Sequence, residues 1–562
     1  MSADFEKVLV KDPRLDVSDS IKYAVVKGGQ NVTCSPFRQI SENDSQVVFN
    51  IQVPSEQTII DRRVLWNTQL TISVPNADVP KYGIDWALAS FPLHQLLSVL
   101  SATINNNTVS LNVNDALPAI IRMICCEDLT WYNSSTPTFA DTQAVYDANV
   151  SAAINLWNQN NPNSGLWGCE YGKNPHRGCF APISKAASGE ANTLFTFEIS
   201  EPLLISPFIF GNLKANGQGF YGIQNMNFVL NKSANFKKVA RGPAVTVNSA
   251  STSDSRLLFN FLTPHPSDLM PARNIVPFYE LPRYITANGT AVDAGTPSAG
   301  SKSAVSVNIV LNSLQLNQIP DKLIIYIRRT PGNVSNVPDV ALPIGKININ
   351  FNNNSGILAS AEPVQLWQMA RDNGLTSSWI EYCGYGNTNM TSTDPNKYAS
   401  QIVGTVGSYL ALEFGKDIQL TEDFYAAGSL GNFNLQVTLN FTNNTTTAFA
   451  VGELQVVLIT MNSGVFVCER GTSSTYTGIL TKQDVLEASQ QEHYTHNDVS
   501  RLVGGGLFDM IKSGVSSLAK KGLEMGKAHL KKHGKKYLAQ GTKMAQNMGK
   551  AALNKYLSKS DE

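Results

Sequence analysis

The sequence predicts an all-β fold of two consecutive β-sandwiches with short inserted helices, followed by a C-terminal amphipathic helical tail. Three observations carry this expectation. Short runs rich in Val, Ile, Phe and Thr recur as far as Cys468, separated by Asn, Gly and Pro. The chain has 562 residues, more than one core ordinarily serves. Its net charge of zero hides an asymmetry: residues 501–562 hold 13 Lys and Arg against 4 Asp and Glu, a net of +9, which leaves −9 on the first 500 residues.

The elements follow in order. Residues 1–45 read as an N-terminal arm. Strands are expected at "QVVFNIQV" (46–53) and "RRVLWNTQLTISV" (62–74). "FPLHQLLSVLS" (91–101) reads as a helical insertion, because Leu recurs at helical spacing. "ATINNNTVSLNV" (102–113) reads as strand, Asn turn and strand. "DTQAVYDANVSAAINLWNQ" (141–159) is a second helical insertion, and 160–190 a Gly/Asn/Pro-rich surface loop. "TLFTFEIS" (193–200) and "IQNMNFVLN" (223–231) complete this series.

"ARGPAVTVNSASTSDS" (240–255) is small and polar and reads as a linker. A second series follows: "RLLFNFL" (256–262), "AVSVNIVLNSLQL" (304–316), "KLIIYIRR" (322–329), "GKININFNN" (345–353), "GSYLALEFG" (407–415), "FNLQVTLNF" (433–441) and "ELQVVLITMNSGVFVC" (453–468). One helical insertion, "AEPVQLWQMARDNG" (361–374), interrupts it. Both halves share a plan of strands, inserted helix, long loop and more strands. This plan fits two jelly-roll β-sandwiches, at 46–245 and 246–490, then a linker at 491–506 and a tail at 507–562.

"VPSEQTIIDRRVLWNTQLTISV" (53–74) followed by "FPLHQLLSVLSATINNNTVSLN" (91–112) resembles the first jelly roll of double jelly-roll major capsid proteins. The flavour is that of virophages, Polinton-like viruses and adintovirus-like elements. The resemblance covers the N-terminal 120 residues; beyond them it rests on length and strand pattern. It implies a structural protein of the virion, made in the host cytoplasm or nucleus. It further implies pseudo-hexagonal homotrimers in an icosahedral shell, with neighbouring capsomers, penton or minor capsid proteins and a maturation protease as partners. Two alternatives stay open: a single-jelly-roll, picorna-like capsid precursor, and a carbohydrate-binding or adhesin-like β protein.

Composition agrees with extensive protein contact. Charged residues make up only 16%, against about 25% usually, and neutral polar groups cost less to desolvate than charges. The seven cysteines are odd in number and irregularly spaced, so free thiols in a reducing compartment are expected. "MSADFEKVLVKDPRLD" has no apolar core and does not read as a signal peptide, and no run of 18 apolar residues is found. The N-x-S/T sequons, as at Asn106, Asn133, Asn288 and Asn440, read as a by-product of Asn and Thr richness.

Enzyme constellations are absent: no phosphate-binding G-x-x-x-x-G-K-[ST], no G-x-S-x-G and no H-E-x-x-H. No catalytic residue, cofactor, resident metal or sequence-specific nucleic-acid contact is expected. Cys169, His176 and Cys179 are soft ligands close in sequence, but C-x₂-C spacing is missing, and a polar loop with incidental thiols is the expected reading. His493 and His496 read as an exposed linker rather than a pH sensor. Asp61, Arg62 and Arg63 read as an ion-paired feature at a strand start or subunit contact. The Asn-rich stretches at 105–107 and 443–447 read as turns rather than glycan contacts.

The tail differs in kind. Leu507, Ile511, Val515, Leu518 and Met525 share one helical face, and Lys512, Lys520 and Lys527 lie off it. An apolar stripe beside lysines suits a helix lying in a membrane interface. "LVGGG" at 502–506 resembles the (Met/Ile/Leu)-x-Gly-Gly-x pattern cut by adenovirus-type maturation proteases, which implies cleavage between Gly505 and Gly506. The fragment released resembles the membrane-lytic internal protein of adenoviruses, with Leu507, Phe508, Ile511, Val515 and Leu518 as its membrane-active residues. Contact with the genome or the inner shell stays open beside contact with a host membrane.

Overall fold

Sixteen principal strands build two sandwiches of the same plan. The computed structural model describes residues 30–75, 86–140, 183–188, 191–209, 213, 219–241, 246–264, 273–298, 301–330, 341–352, 354–390, 399–420, 426–445 and 447–478. The first eight strands are β1 (Gln30–Arg38), β2 (Gln46–Gln52), β3 (Leu65–Pro75), β4 (Leu97–Ile104), β5 (Asn107–Asn112), β6 (Asn192–Pro202), β7 (Asn225–Lys232) and β8 (Ser249–Pro264). One sheet runs β1-β8-β3-β6 and the other β2-β7-β4-β5. The second eight are β9 (Arg273–Glu280, continued by Arg283–Ala287), β10 (Val305–Val310, continued by Leu314–Gln318), β11 (Lys322–Arg329), β12 (Ile344–Phe351), β13 (Asn354–Ile357), β14 (Tyr409–Glu413), β15 (Leu430–Asn443) and β16 (Leu454–Glu469). Their sheets run β9-β16-β11-β14 and β10-β15-β12-β13. Each label in the second sandwich is eight higher than its counterpart, so the jelly-roll order is repeated intact.

Period-two alternation decides the register. In β15, Phe433, Leu435, Val437 and Leu439 are buried while Asn434 is exposed and Gln436 and Thr438 are half-buried, as the alternation in "FNLQVTLNF" predicts. Facing side chains fill each sandwich with aromatic contacts. Phe208 meets Phe220 at 5.3 Å and Phe228 at 5.4 Å in the first. Phe351 meets Phe414 at 5.3 Å and Phe433 at 5.9 Å in the second.

Helices follow the fifth strand in both halves: α2 (Val113–Ile120) and α3 (Cys126–Tyr132) after β5, α4 (Pro363–Asp372) and α5 (Trp379–Tyr382) after β13. A one-turn helix, α1 (Pro92–Gln95), precedes β4. The fold follows from local chemistry here: α4 begins at Pro363 with a Glu362–Gln365 capping box, and α5 with a Ser378–Glu381 box.

Four expectations are corrected. The arm is sheet from residue 30 onward: β1 pairs along its whole length with β8, and Ser41–Glu42 pairs with β2. The linker at 240–255 is not a linker, because Ala240–Arg241 pairs with Ala87–Leu88 and Ser249–Ser253 pairs with Ser73–Gln69 of β3. The strand expected to open the second sandwich at 256–262 therefore closes the first. In 91–101 only one turn is helical; Leu97, Leu100, Ala102 and Ile104 point inward from β4, which pairs with β7. Leu spacing at 93, 96, 97 and 100 fits either period, and the ladder to β7 decides it. The second half carries two helices after β13, not one. The insertion at 141–159, the loop at 160–182 and everything from 479 onward lie outside the described residues.

Candidate functional site at the junction of the two sandwiches

The most elaborate contact among the described residues joins the two sandwiches. Helix α2 presents Asp115 to β11 and to the continuation of β9. Its carboxylate is bonded by the Arg328 guanidinium and by Arg283 Nε at 2.7 Å. Arg328 also donates to the Asn114 carbonyl at 2.5 Å, and the Tyr326 hydroxyl to the Asp115 carbonyl at 2.5 Å. The side chains of Asp115 and Arg328 are only 6% and 7% exposed. Both terminal nitrogens of Arg328 are hydrogen-bonded, while its buried Nε finds no partner among the described residues.

The electrostatics follow from burial. Desolvation works against the Arg328 charge, but Tyr326, Asp115 and the hydrogen bond to Asp115 outweigh it and raise its pKa. Burial pushes the Tyr326 hydroxyl up to about 12. Tyr326 stacks on Tyr409 of β14 at 4.9 Å, and Arg122 lies over the Tyr409 ring at 4.8 Å. Beyond it, Thr376 donates to the Arg122 carbonyl through its N–H at 2.8 Å and its hydroxyl at 2.6 Å.

A second tie lies at the far end of β16. Its first half, with Leu454, Val456, Val457, Leu458 and Ile459, packs in the second core. Its last residues, Phe466 and Cys468, join Val276 and Phe278 in the first core. The Asn-rich hairpin between β4 and β5 adds polar bonds. Asn105 adopts φ 52°, the left-handed conformation Asn tolerates. Its amide donates to Ser473 Oγ at 2.9 Å, and Asn106 Oδ1 accepts from the Ser473 N–H at 2.8 Å.

Of the residues singled out from sequence, Asp61 and Arg63 form the expected ion pair, at 3.0 Å. Arg62 turns away from it to donate to the carbonyls of Pro207 at 2.8 Å and Phe208 at 3.0 Å. The turn at 443–447 is buried at Asn443 and Asn444, whose amides bond the carbonyls of Asp293 and Gly384. Among the described residues no group of His, Cys, Asp and Glu suits a metal ion. Cys169, His176, Cys179, His493, His496, Gly505, Gly506, Leu507, Phe508, Ile511, Val515 and Leu518 lie outside the described residues.

Sequence reasoning missed the junction altogether. Asp115 lies just past the segment expected as a strand, and Arg328 is the penultimate residue of a strand whose partner across the sandwiches no local pattern reveals. A signal was present: "KLIIYIRR" is apolar at successive positions, not alternate ones, the mark of a strand buried on both faces.

Two jelly rolls follow one another in one chain, joined by a buried ion pair: a double jelly-roll architecture. Comparison with known proteins agrees. The family described as Sputnik virophage major capsid protein 1st domain matches residues 3–262, and Major capsid protein V20 C-terminal domain matches residues 281–464. The Putative capsid protein V20 of Sputnik virophage is 28% identical over 534 residues, covering 90% of this chain and 85% of that protein. In fold, the chain is similar to the protein in the 3.5 Å cryo-EM structure of the Sputnik virophage. The TM-score is 0.72 at 24% identity, covering 89% of this chain and 98% of that one. The mavirus major capsid protein gives a TM-score of 0.66 at 16% identity, covering 88% and 99%. Both halves of the chain thus match virophage major capsid protein domains, and its fold is that of double jelly-roll capsid proteins.

Proposed function

We propose that three copies of this chain associate into a capsomer of six sandwiches around one axis, the pseudo-hexagonal tile of an icosahedral shell. The observation that carries this reading is the repeated strand order, β1-β8-β3-β6 answered by β9-β16-β11-β14, in a subunit whose halves share a buried junction. A two-sandwich subunit needs only threefold symmetry to present sixfold contacts to its neighbours. Neighbouring capsomers and penton or minor capsid proteins are the partners of such a tile. Native mass spectrometry of the full chain tests it: the expected species is three times the 61.1 kDa subunit. A monomer at micromolar concentration overturns it.

The tail carries a separate proposal, supported by sequence alone. A maturation protease cuts between Gly505 and Gly506, and the released segment acts on membranes through Leu507, Phe508, Ile511, Val515 and Leu518. Each lysine near an anionic surface adds about 1 kcal/mol to binding. Mass spectrometry of purified particles should find a new N-terminus at Gly506, and a 506–530 peptide should leak dye from anionic vesicles. Full-length chain in infectious particles overturns the cleavage. A peptide that spares vesicles but retards DNA in a gel reassigns the tail to the genome.

A further inference from the structure

One buried carboxamide in the second sandwich is set between an amine and a carboxylate. Asn373 ends α4 and is 2% exposed. Its Nδ2 donates to the Ala411 carbonyl of β14 at 3.0 Å and to Asp417 Oδ2 at 2.6 Å. Its Oδ1 accepts from Lys416 Nζ at 3.3 Å. The amide is thus held on both sides. Its surroundings are held as well. Asp417 Oδ2 also accepts from the Glu413 N–H at 2.9 Å, and Lys322 Nζ donates to the Asn373 main-chain carbonyl at 2.8 Å. The Glu413 carboxylate lies 3.8 Å from the Lys416 ammonium, whose side chain is 45% exposed.

We propose that Lys416 and Asn373 join in an isopeptide bond once the second sandwich has folded. Lys416 Nζ attacks Asn373 Cγ; the new C–N bond forms there and the Cγ–Nδ2 bond breaks. Lys416 starts as an ammonium and ends as an amide N–H, so it gives up two protons. The leaving nitrogen takes up two and departs as an ammonium ion. Glu413, beside Nζ, accepts the first proton, and Asp417, already bonded to Nδ2, relays a proton to that nitrogen as it leaves. Between free molecules this exchange is slow, and a fixed pair gains by proximity. A rival nucleophile is close by, because Asn373 precedes Gly374, whose nitrogen could close a succinimide. That N–H donates to the Arg371 carbonyl at 3.0 Å, so the lysine is the freer of the two. The bond ties the end of α4 to the turn after β14. It closes a loop of 43 residues, which restricts the unfolded chain.

Mass spectrometry of the full chain, purified folded and then denatured, tests this. The chain should weigh one ammonia less than its sequence. Trypsin should leave Lys416 uncut, and the peptide carrying Asn373 should emerge joined to the one carrying Lys416. Lys416→Arg keeps the charge and the hydrogen bond but cannot form the link. It should show the full sequence mass and a lower melting temperature than the wild type. Asp417→Asn keeps an acceptor for the Glu413 N–H and removes the relay, so its link should form many-fold more slowly. A wild-type chain of full sequence mass, cut by trypsin after Lys416, overturns the proposal. So does a missing ammonia with Lys416 still cut, which places a succinimide at Asn373. A link that forms as fast in Asp417→Asn overturns the role given to that carboxylate.

Discussion

Asp115 and Arg328 lie 213 residues apart and meet in an ion pair that water scarcely reaches. Removing one partner strands the other charge. Asp115→Ala should therefore destabilise the subunit by about 3–5 kcal/mol. Asp115→Leu combined with Arg328→Met should recover much of that loss, because the charge then left without its carboxylate, Arg283, is over a third exposed to water. Urea denaturation of the three proteins checks this; a double variant as unstable as Asp115→Ala would count against the pairing account.

Glu201 anchors a second buried network, inside the first sandwich. Its carboxylate accepts from the N–H groups of Leu93 at 2.8 Å and His94 at 3.1 Å, and from the Thr136 hydroxyl at 2.9 Å. His94 Nδ1 lies 2.6 Å from it, while His94 Nε2 accepts from the Leu204 N–H at 3.3 Å. The imidazole thus carries its proton on Nδ1. Glu201→Gln turns an amide N–H against one of these donors and should cost about 1–3 kcal/mol. Thermal unfolding reads it, and an unchanged melting temperature would contradict the network.

Asp321 gives a pH signature. Burial raises its carboxyl pKa above 3.8, although it accepts from the Ser463 N–H at 2.5 Å. The folded state then binds the proton more tightly than the unfolded chain. The stabilising contribution of this group is fully present below the unfolded value and is lost as pH rises through the raised one. Asp321→Asn keeps an acceptor without the charge. Its melting temperature should exceed that of the wild type near neutral pH, and the gain should shrink in acid. A gain independent of pH would refute the assignment.

Val437 tests the register of β15, where it is 1% exposed. Val437→Asp places an unpaired carboxylate in the second core, at a cost of several kcal/mol. Insoluble or unfolded protein is expected. Soluble trimer would show that the inward face has been misassigned.

Much of this fold is legible locally. Alternation finds β15, β7 and β6 nearly residue for residue, because each has one wet face and one dry face. It fails at Ser249–Ser253, where small polar residues give no apolar period and only pairing with β3 makes a strand. It also fails at Leu97–Ile104, where leucine spacing suits helix and strand alike. The junction is less legible still. Asp115, Arg283 and Arg328 are ordinary charged residues until the fold brings them together, and a buried ion pair has no signature in sequence. The Ser378–Glu381 box at α5 was readable in principle, since S-x-x-E marks a helix start.

Strand β16 gives its first half to one core and Phe466 and Cys468 to the other. Translation proceeds from the N-terminus, so the first sandwich must wait for Phe466 and Cys468, some 200 residues beyond its own last strand, before its interior is complete. A ribosome stalled before Leu454 would hold a nascent chain whose earliest strands still lack a lid, and limited proteolysis of such stalled chains should cut inside the first sandwich.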